Sequence, residues 1–424
     1  MIHDAKSQDR ASVSETTAIP EHLRDALAGR KVLIIVENLP LPFDRRVWQE
    51  CRTLRAAGAE VMVICPTGKG FEARYELIEG VHIYRHTLPN DAKGALGYLV
   101  EYSAALFHEM RLAIKIWRRH GFDTLQACNP PDLIFLVAKP FQWLGARFIF
   151  DHHDINPELY EAKFGKRGFF WKLMVLLERL TFKAADVVIS TNQSYKDIAM
   201  TRGGKSERDV FIVRSGPDLT RLYAREPNSE LRKGREHMVG YVGVMGDQEG
   251  LDLLIDAANI MVNQRGMDVQ FVLVGGGPAL DELKAYCQSK GLSDHFTFTG
   301  RAPDEVLFQV LSTADVCVNP DRVTPMNDKS TMNKILEYMA FGKPIVQFDV
   351  KEGRYSARDA SLYAAANDVV DMADKISDLL GDPAKRDEMG RIGLQRVKAE
   401  LSWHHQIESL ISAYLRIEQK KPKR

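Results

Sequence analysis

Three polar residues at helical spacing combine a cation, an amide and a carboxylate. On a helix, Lys329, Asn333 and Glu337 would share one face, and an apolar stripe would form the opposite one. The helical rise would separate Lys329 from Glu337 by roughly 12 Å. That distance suits a ligand with a diphosphate at the cation and a ribose diol at the carboxylate. The loop before this helix would also leave free N–H groups at its amino end, where anions bind.

A second polar group follows the apolar segment RFIF, where a buried parallel strand would end. It consists of His152, His153 and Asp154. A neutral imidazole beside a carboxylate can be held in one tautomer and can then offer a hydrogen bond to a hydroxyl group. These residues could also ligate a metal, but no further His, Cys or acidic spacing completes a site. The sequence therefore predicts no metal here, and because VLVGGGP (272 to 278) lacks the GxGxxG dinucleotide fingerprint, no other cofactor is expected.

The loop ENLPLPFDRR, residues 37 to 46, follows the first predicted strand and should reach the same edge of the sheet. Its two prolines would stiffen it, and Asp44 can cap the helix that follows. Arg45 and Arg46 could then bind an anionic ligand. Solvated arginines in the first turn of a helix are an equally good interpretation.

Short β-branched segments alternate with helical patterns from residue 31 onward, which is typical of βαβ units and buried parallel sheets. The fold class is therefore α/β. A first series of strands is predicted at 31 to 36, 60 to 65, 81 to 86, 124 to 128, 147 to 153, 186 to 191 and 210 to 215. A second series is predicted at 238 to 243, 269 to 275, 296 to 300, 316 to 320, 344 to 349 and 361 to 366.

The two series predict two Rossmann-like, doubly wound lobes that face a central cleft, because such sheets bind ligands at the carboxyl ends of their strands. A polar, charged segment with Gly and Pro separates them. The predicted divisions are a mobile extension over 1–28, an N-terminal lobe over 29–215, a linker over 216–237, a C-terminal lobe over 238–400, and a C-terminal helix with a basic tail over 401–424.

Composition excludes several classes of protein. The 424 residues carry 57 Lys and Arg against 57 Asp and Glu, and 45% are hydrophobic, so the chain should be globular, with no nucleic-acid partner. The five cysteines are scattered singly, which indicates neither a disulfide framework nor a structural zinc site. No stretch approaches the roughly 18 apolar residues of a membrane span, and the amino terminus lacks a signal peptide's apolar segment. We therefore expect a cytoplasmic protein.

Five motifs recur in one order along the chain: FDHHDINPE (150 to 158), VGVMGDQEGLDLLIDA (242 to 257), VLVGGGP (272 to 278), FTGR (298 to 301) and ILEYMAFGKPIV (335 to 346). Each is weak alone, but together they are specific. With them, the chain from residue 31 to 415 resembles the GT-B glycosyltransferases of the retaining family 4, the group that builds bacterial surface polysaccharides. The resemblance implies an N-terminal acceptor lobe and a C-terminal lobe that binds a nucleotide-sugar donor, expected to be a UDP-sugar.

The resemblance also implies roles for single residues. Glu337 would hold the ribose, His153 would contact the donor sugar with support from Asp154, and Gly243 and Gly246 would let the donor approach the backbone. Asn333 would join the donor side, and Asp44, Arg45 and Arg46 would lie on the acceptor side.

The chain departs from the family pattern at three positions. The family's first glutamate falls on Lys329, and its Arg and Lys fall on Val244 and Glu249. Because a departing diphosphate develops negative charge, another cation must substitute. We expect Lys329 and Arg301 to take that role, with Arg354 as a further candidate.

Residues 164 to 183 mix aromatic and basic side chains with leucines at helical spacing. Such a helix can lie on an anionic membrane face, and residues 106 to 119 share the pattern more weakly. An ordinary lobe helix is an equally good interpretation. A peripheral contact with the inner membrane face suits an enzyme with a polyprenyl-linked acceptor, as the family implies.

The function expected from the resemblance is transfer of a sugar from a nucleotide-sugar to a lipid-linked or saccharide acceptor, with retention, in polysaccharide biosynthesis. Two alternatives stay open. One is a catalytically silent binding partner that kept the fold but lost donor chemistry when Val244 and Glu249 replaced the basic pair. The other is a sugar-nucleotide epimerase, which would form product from the donor alone.

Overall fold

The computed structural model describes residues 19–87 and 94–420, which form two α/β lobes, each built on one sheet. The strands of the first lobe are β1 (Lys31–Ile35), β2 (Glu60–Pro66), β3 (Tyr75–Ile78), β4 (Val81–His86), β5 (Thr124–Cys128), β6 (Arg147–His152), β7 (Val187–Ser190) and β8 (Val210–Ile212). Their order is β3-β4-β2-β1-β5-β6-β7-β8, and only β3 is antiparallel to its neighbour.

The second lobe has a six-stranded parallel sheet. Its strands are β9 (His237–Val242), β10 (Val269–Val274), β11 (Phe296–Phe298), β12 (Val316–Asn319), β13 (Ile345–Phe348) and β14 (Ser361–Ala364), in the order β11-β10-β9-β12-β13-β14. The strand order reverses at β1 in the first sheet and at β9 in the second, and ligands of such sheets bind outside these switch points.

Helices cover the sheets. The six helices before the first connection between the lobes are α1 (Arg45–Ala56), α2 (Gly94–Arg119), α3 (Phe135–Trp143), α4 (Asn156–Phe164), α5 (Phe169–Ala184) and α6 (Gln193–Thr201). The others are α7 (Leu251–Asn259), α8 (Leu280–Ser289), α9 (Asp304–Thr313), α10 (Asn333–Ala340), α11 (Lys351–Ala357), α12 (Val369–Gly381), α13 (Pro383–Arg396) and α14 (Ile407–Glu418). Among the described residues, no helix has both the length and the apolar character needed to cross a membrane.

The predicted fold class is confirmed, and every predicted strand is present. The sequence analysis does not predict β3, which is a four-residue edge strand whose side chains alternate between exposed and half-buried. Such a strand carries no continuous apolar segment, unlike the strands that are buried on both faces.

The chain is packed from residue 19, although the sequence predicts a mobile extension that runs to residue 28. Ile19, Leu23 and Leu27 are buried in the core of the first lobe. The prediction is wrong over 19–28 because these three apolar residues recur every four positions within an otherwise polar segment. Residues 1–18 and the tail at 421–424 lie outside the described residues.

The chain passes between the lobes twice. The predicted linker is packed rather than free, since Leu222 is buried in the core of the second lobe. After α13 the chain returns, and α14 packs on the first lobe together with Trp403. The two passages touch, because Trp403 N donates to Pro217 O (3.1 Å) and a Cβ on Gly216 would clash with the carbonyl of Leu401.

Candidate active site between the lobes

A pocket lies between the lobes, lined by α1, by residues 215–222 and by the first turns of α9 and α10. It brings together two predicted donor-side residues, Asn333 and Glu337, and two predicted acceptor-side residues, Arg45 and Arg46. The structure therefore places the polar flank of α10 at the cleft, as the sequence analysis predicts.

Glu337 is held by a short helix with a buried apolar face. α10 buries Ile335, Leu336 and Met339 and leaves the Glu337 side chain 18% exposed in the pocket. Burial raises the pKa of Glu337 above its ordinary value, and the nearby charge of Arg45 offsets only part of that rise. No side chain caps the amino end of α10, so its first N–H groups remain available to a ligand.

Charged side chains bridge the cleft beside Glu337. Arg45 Nη1 lies 3.2 Å from Glu337 Oε1, and its Nη2 donates to Asp304. Arg221 also reaches Asp304, with 3.3 Å between Nη2 and Oδ2. Asp44 accepts from Val47 N (3.1 Å) and so caps α1, which sets the direction in which Arg45 leaves the helix.

Arg46 lines the pocket but is mostly buried and bonded to the protein, so it is not the solvated arginine of the second interpretation. Its side chain is 8% exposed and donates through Nη1 to Val213 O (2.7 Å) and through Nη2 to Asp151 Oδ1 (3.1 Å). Glu50 Oε1 lies 3.3 Å from its Nε. The second position of α1 points beneath the end of the sheet, so Arg46 neutralises buried carboxylates there.

The two buried carboxylates beside Arg46 differ in charge. Gln126 Nε2 donates to Glu50 Oε2 (2.7 Å) and to Asp151 Oδ2 (3.1 Å). Burial and the charge of Asp151 raise the pKa of Glu50 to about 8. Although burial alone would raise the pKa of Asp151, the charges of Arg46 and His153 hold it well below its ordinary value. Asp151 is therefore the ionised member of the pair at neutral pH.

His153 lies at the end of β6 with Asp151 behind it. Its Nε2 is 2.8 Å from Asp151 Oδ2 and also 2.8 Å from Arg46 Nε. Arg46 Nε always carries a proton and donates it to His153 Nε2, so the neutral ring carries its own proton on Nδ1. Burial alone would lower the pKa of His153, but the charge of Asp151 raises it to above the ordinary value. No described residue bonds to Nδ1, and His153 is not among the residues that line the pocket described above.

Asp154 follows directly and is fixed through its backbone. Its N donates to Asn129 Oδ1 (3.1 Å), and its O accepts from Asn129 Nδ2 (2.7 Å). Burial raises the pKa of its carboxyl group. The structure therefore positions both predicted catalytic residues of the first lobe at the carboxyl end of β6.

The loop after β9 carries Gly243 and Gly246. Gly243 N donates to Val274 O (3.0 Å), and Gly246 N donates to Glu249 Oε2 (3.1 Å). Val244 is exposed, and burial raises the pKa of Glu249. Neither side chain supplies a cation to this loop.

Lys329 does not belong to α10, contrary to the sequence prediction. The helix begins at Asn333, and Met332 before it is extended (φ −86°, ψ 108°). Asn192 of the first lobe donates to Lys329 O (2.8 Å) and to Thr331 Oγ1 (3.0 Å), which holds this segment outside the helix. Lys329 Nζ donates to Pro325 O (3.1 Å) and is 3.9 Å from Glu158 Oε1 of the first lobe.

The other two predicted cations also have partners of their own. Arg301 is exposed, and its guanidinium lies 4.5 Å from the ring centroid of Phe43 across the cleft. Arg354 forms a two-point ion pair with Asp349, at 2.7 and 2.6 Å, and stacks on Tyr363.

Two groups of three potential metal ligands occur among the described residues, each with ligand atoms within 4.8 Å: Glu60, His82 and His120; and Cys128, Asp151 and His153. The sequence predicts neither group, because the members of each are brought together only by the folded sheet; Cys128, for example, lies on β5 and meets Asp151 of β6 there. In the second group Arg46 is already bonded to Asp151, and its positive charge opposes a cation. In the first, Lys31 Nζ is 3.6 Å from Glu60 Oε2 and has the same effect.

Sequence reasoning also misses Asp151 and Asp304, and it misses Lys334, which stands in the first turn of α10 and donates to Asp321 Oδ1 (2.6 Å). Asp151 could have been recognised from the sequence, since a charged residue inside an otherwise apolar strand needs a buried partner. Lys334 has its signal in the run N-K-I-L-E, where it lies one turn before Glu337.

Comparisons with known proteins match both lobes. Residues 44–221 match a family model described as "Glycosyltransferase Family 4", and residues 236–382 match one described as "Glycosyl transferases group 1". Together the two matches span most of the chain.

Individual proteins agree with these matches. The chain is 23% identical to a 2-deoxystreptamine glucosyltransferase of Streptomyces kanamyceticus, over 80% of this chain and 88% of that protein. A sucrose-phosphate synthase of Thermosynechococcus elongatus shares its fold, with a TM-score of 0.75 and 19% identity over 92% of this chain and 99% of that one. HepE of Anabaena, solved in complex with UDP and glucose, has a TM-score of 0.69 at 15% identity over 91% and 99%. With both lobes matched and the cleft between them in place, this chain belongs to the GT-B glycosyltransferases of family 4.

Proposed function

We propose that this glycosyltransferase moves a sugar from a nucleotide-sugar, taken to be a UDP-sugar, to a hydroxyl group of a lipid-linked or saccharide acceptor, with retention of the anomeric configuration. The observation that carries the proposal is the position of Glu337 in the interlobe pocket, on a helix whose amino end has no side-chain cap. A ribose diol suits the carboxylate, and a diphosphate suits the helix end. The complex of HepE with UDP and glucose supports this donor class.

In this proposal Glu337 accepts hydrogen bonds from the ribose, and Asn333 lines the same pocket. His153 Nδ1 bonds a hydroxyl group of the donor sugar, while Asp151 fixes its ring and Asp154 supports the same edge. Gly243 and Gly246 give the donor close access to the backbone after β9.

The step breaks the bond from the anomeric carbon to the diphosphate oxygen and forms one to the acceptor oxygen. In a single displacement with retention, the acceptor approaches the face that the diphosphate leaves, and the acceptor proton passes to the departing phosphate oxygen. The charge that develops there is stabilised by the α10 N–H groups and by a cation of the second lobe.

A peripheral contact with the inner membrane face is part of the proposal. The apolar face of the first lobe consists of exposed side chains on neighbouring helices: Leu136, Trp143, Leu144, Phe164, Phe169, Phe170, Leu173 and Leu176. α3 and α4 both pack against α5. The basic residues Lys163, Lys166, Arg167 and Lys172 lie among them and complement anionic headgroups. An ordinary lobe helix accounts for the buried side of α5 but leaves these exposed rings unexplained.

Donor turnover tests the function. Purified protein is incubated with UDP-, GDP- and ADP-sugars, with and without a polyprenyl-linked or oligosaccharide acceptor, and both the released nucleotide and the glycosylated product are measured. Acceptor-dependent release of one nucleoside diphosphate is expected. No nucleotide release, together with no UDP binding by calorimetry, would instead indicate the silent binding partner, in which Val244 and Glu249 replaced the basic pair. Conversion of the donor sugar without acceptor would indicate the epimerase.

A further inference from the structure

The loop after β9, residues 243–250, is called the donor loop here; it has no Lys or Arg and so lacks the positive charge that a diphosphate needs. Val244 and Glu249 occupy the places of the family's basic pair, and Lys329, Arg301 and Arg354 have partners elsewhere. The inference below rests on the proposed nucleotide-sugar donor.

Lys334 lies directly against the loop after β9. It stands in the first turn of α10, and a Cβ built on Gly243 would be 3.3 Å from its Cε. Its Nζ donates to Asp321 Oδ1 (2.6 Å) and lies 3.5 Å from Tyr241 Oη. The ammonium group is therefore held at the end of β9, beside the uncapped amino end of α10.

The ammonium group still has a donor to offer. A lysine donates three hydrogen bonds, and the described residues supply acceptors only in Asp321 and the weakly placed hydroxyl of Tyr241. Burial alone would lower the pKa of Lys334, but the charge of Asp321 raises it by more than that. The pKa therefore lies above its ordinary value, and the group stays protonated. Asp321 is itself 2% exposed, and its buried carboxylate holds the Lys334 ammonium group in one position.

We propose that Lys334 binds the diphosphate of the donor, in place of the basic pair missing at 244 and 249, and that Asp321 is its positioning residue. A charge-assisted hydrogen bond from Nζ to a phosphate oxygen then stabilises both the bound donor and the departing diphosphate.

Removing Lys334 alone would leave Asp321 buried without its counter-ion, so the test uses the double variant Lys334→Met/Asp321→Asn. The affinities of UDP, GDP and ADP, and of the nucleoside of the tightest one, are measured by calorimetry, and thermal unfolding reports the fold. We expect the double variant to lose about 10- to 100-fold in affinity for the diphosphate. Its affinity for the nucleoside should be unchanged.

Two further variants make the result specific. Lys343→Met also removes a half-buried lysine of the second lobe, one that donates to Ser312 O (2.8 Å) away from the cleft, and it should bind the diphosphate normally. Lys334→Arg should retain most of the preference for diphosphate over nucleoside. A folded double variant with wild-type affinity for the diphosphate would overturn the inference about Lys334 but not the proposed function. A wild-type protein that binds none of the three diphosphates would overturn the proposed function with it.

Discussion

Arg45 of the first lobe reaches Glu337 of the second across the cleft, with 3.2 Å between Nη1 and Oε1. The same carboxylate is proposed to hold the ribose, so the arginine and the donor compete for it. Because Arg45 is 44% exposed, solvent screens the pair, which contributes at most about 1 kcal/mol. A bound donor can therefore replace this contact at little cost.

Replacing Arg45 should strengthen donor binding. Arg45→Met frees Glu337, so we expect the affinity for UDP to rise by up to about fivefold, measured by calorimetry. Arg221→Met is the matched control, since it removes a cation from Asp304 but none from Glu337. Weaker UDP binding by Arg45→Met would mean that the arginine contacts the donor instead.

Glu337→Gln should weaken UDP binding by about 10- to 100-fold, because a charged acceptor for the ribose hydroxyls is lost. The control lies in the ligand: the affinity for 2′,3′-dideoxy-UDP should be the same for both proteins. An equal loss for both ligands would show that the substitution disturbs the pocket rather than the ribose contact.

Glu249→Gln should tighten UDP binding a few-fold, because it removes a negative charge from the donor loop and keeps an oxygen for Gly246 N. Burial raises the pKa of Glu249, so the repulsion fades as the pH falls through that pKa. The ratio of variant to wild-type affinity should therefore be largest at alkaline pH. A ratio that does not change with pH would contradict this account.

Asp132 should make stability depend on pH in the acidic range. Burial raises its pKa to about 6, and Asn129 and Asn156 donate to its carboxylate. Between the unfolded pKa of about 4 and this value, the folded state binds a proton that the unfolded state has lost. The free energy of unfolding should fall by about 3 kcal/mol as the pH rises through that window.

The variant Asp132→Asn lacks that contribution at every pH. Urea unfolding between pH 4 and 7 gives the free energy of unfolding of both proteins. The slopes of these free energies against pH are compared rather than their absolute values, because the substitution also changes hydrogen bonding. Parallel stability curves would show that Asp132 does not titrate in this range.

The apolar face should carry membrane binding. We expect Trp143→Ser/Phe169→Ser to reduce sedimentation with anionic vesicles by about tenfold or more, since both rings are largely exposed. Thermal unfolding should be unchanged. Val370→Ser removes an exposed apolar side chain from α12 of the second lobe and should bind vesicles normally. Equal vesicle binding by the wild type, the double variant and Val370→Ser would show that this face does not bind the membrane.

The sheets could be predicted because their buried strands are continuous apolar segments, such as KVLII and VQFVLV. The start of α10 could not, because it is set by Asn192, a residue of the other lobe that is distant in the chain. Local spacing predicts a helix at Lys329, and a tertiary contact overrides it.

The chemistry of the cleft was only partly predictable for a similar reason. Glu337 and His153 stand in motifs, and their position follows from the ends of strands and helices. The burial of Arg46 depends on Asp151, about a hundred residues away, and the role proposed for Lys334 depends on Asp321 across a loop. A sequence pattern shows a charge but not the partner that holds it.

The double passage of the chain between the lobes limits how the cleft can open. Two peptide segments in contact, at Gly216 and Trp403, act as a pair of adjacent pivots and resist twisting or sliding of one half against the other. We therefore expect the lobes to separate by bending at both segments together, which would widen the pocket near Arg45 and Glu337. Entry of the donor and exit of the product would then use the same opening motion. A pair of fluorophores, one on each lobe, can follow it through the distance between them.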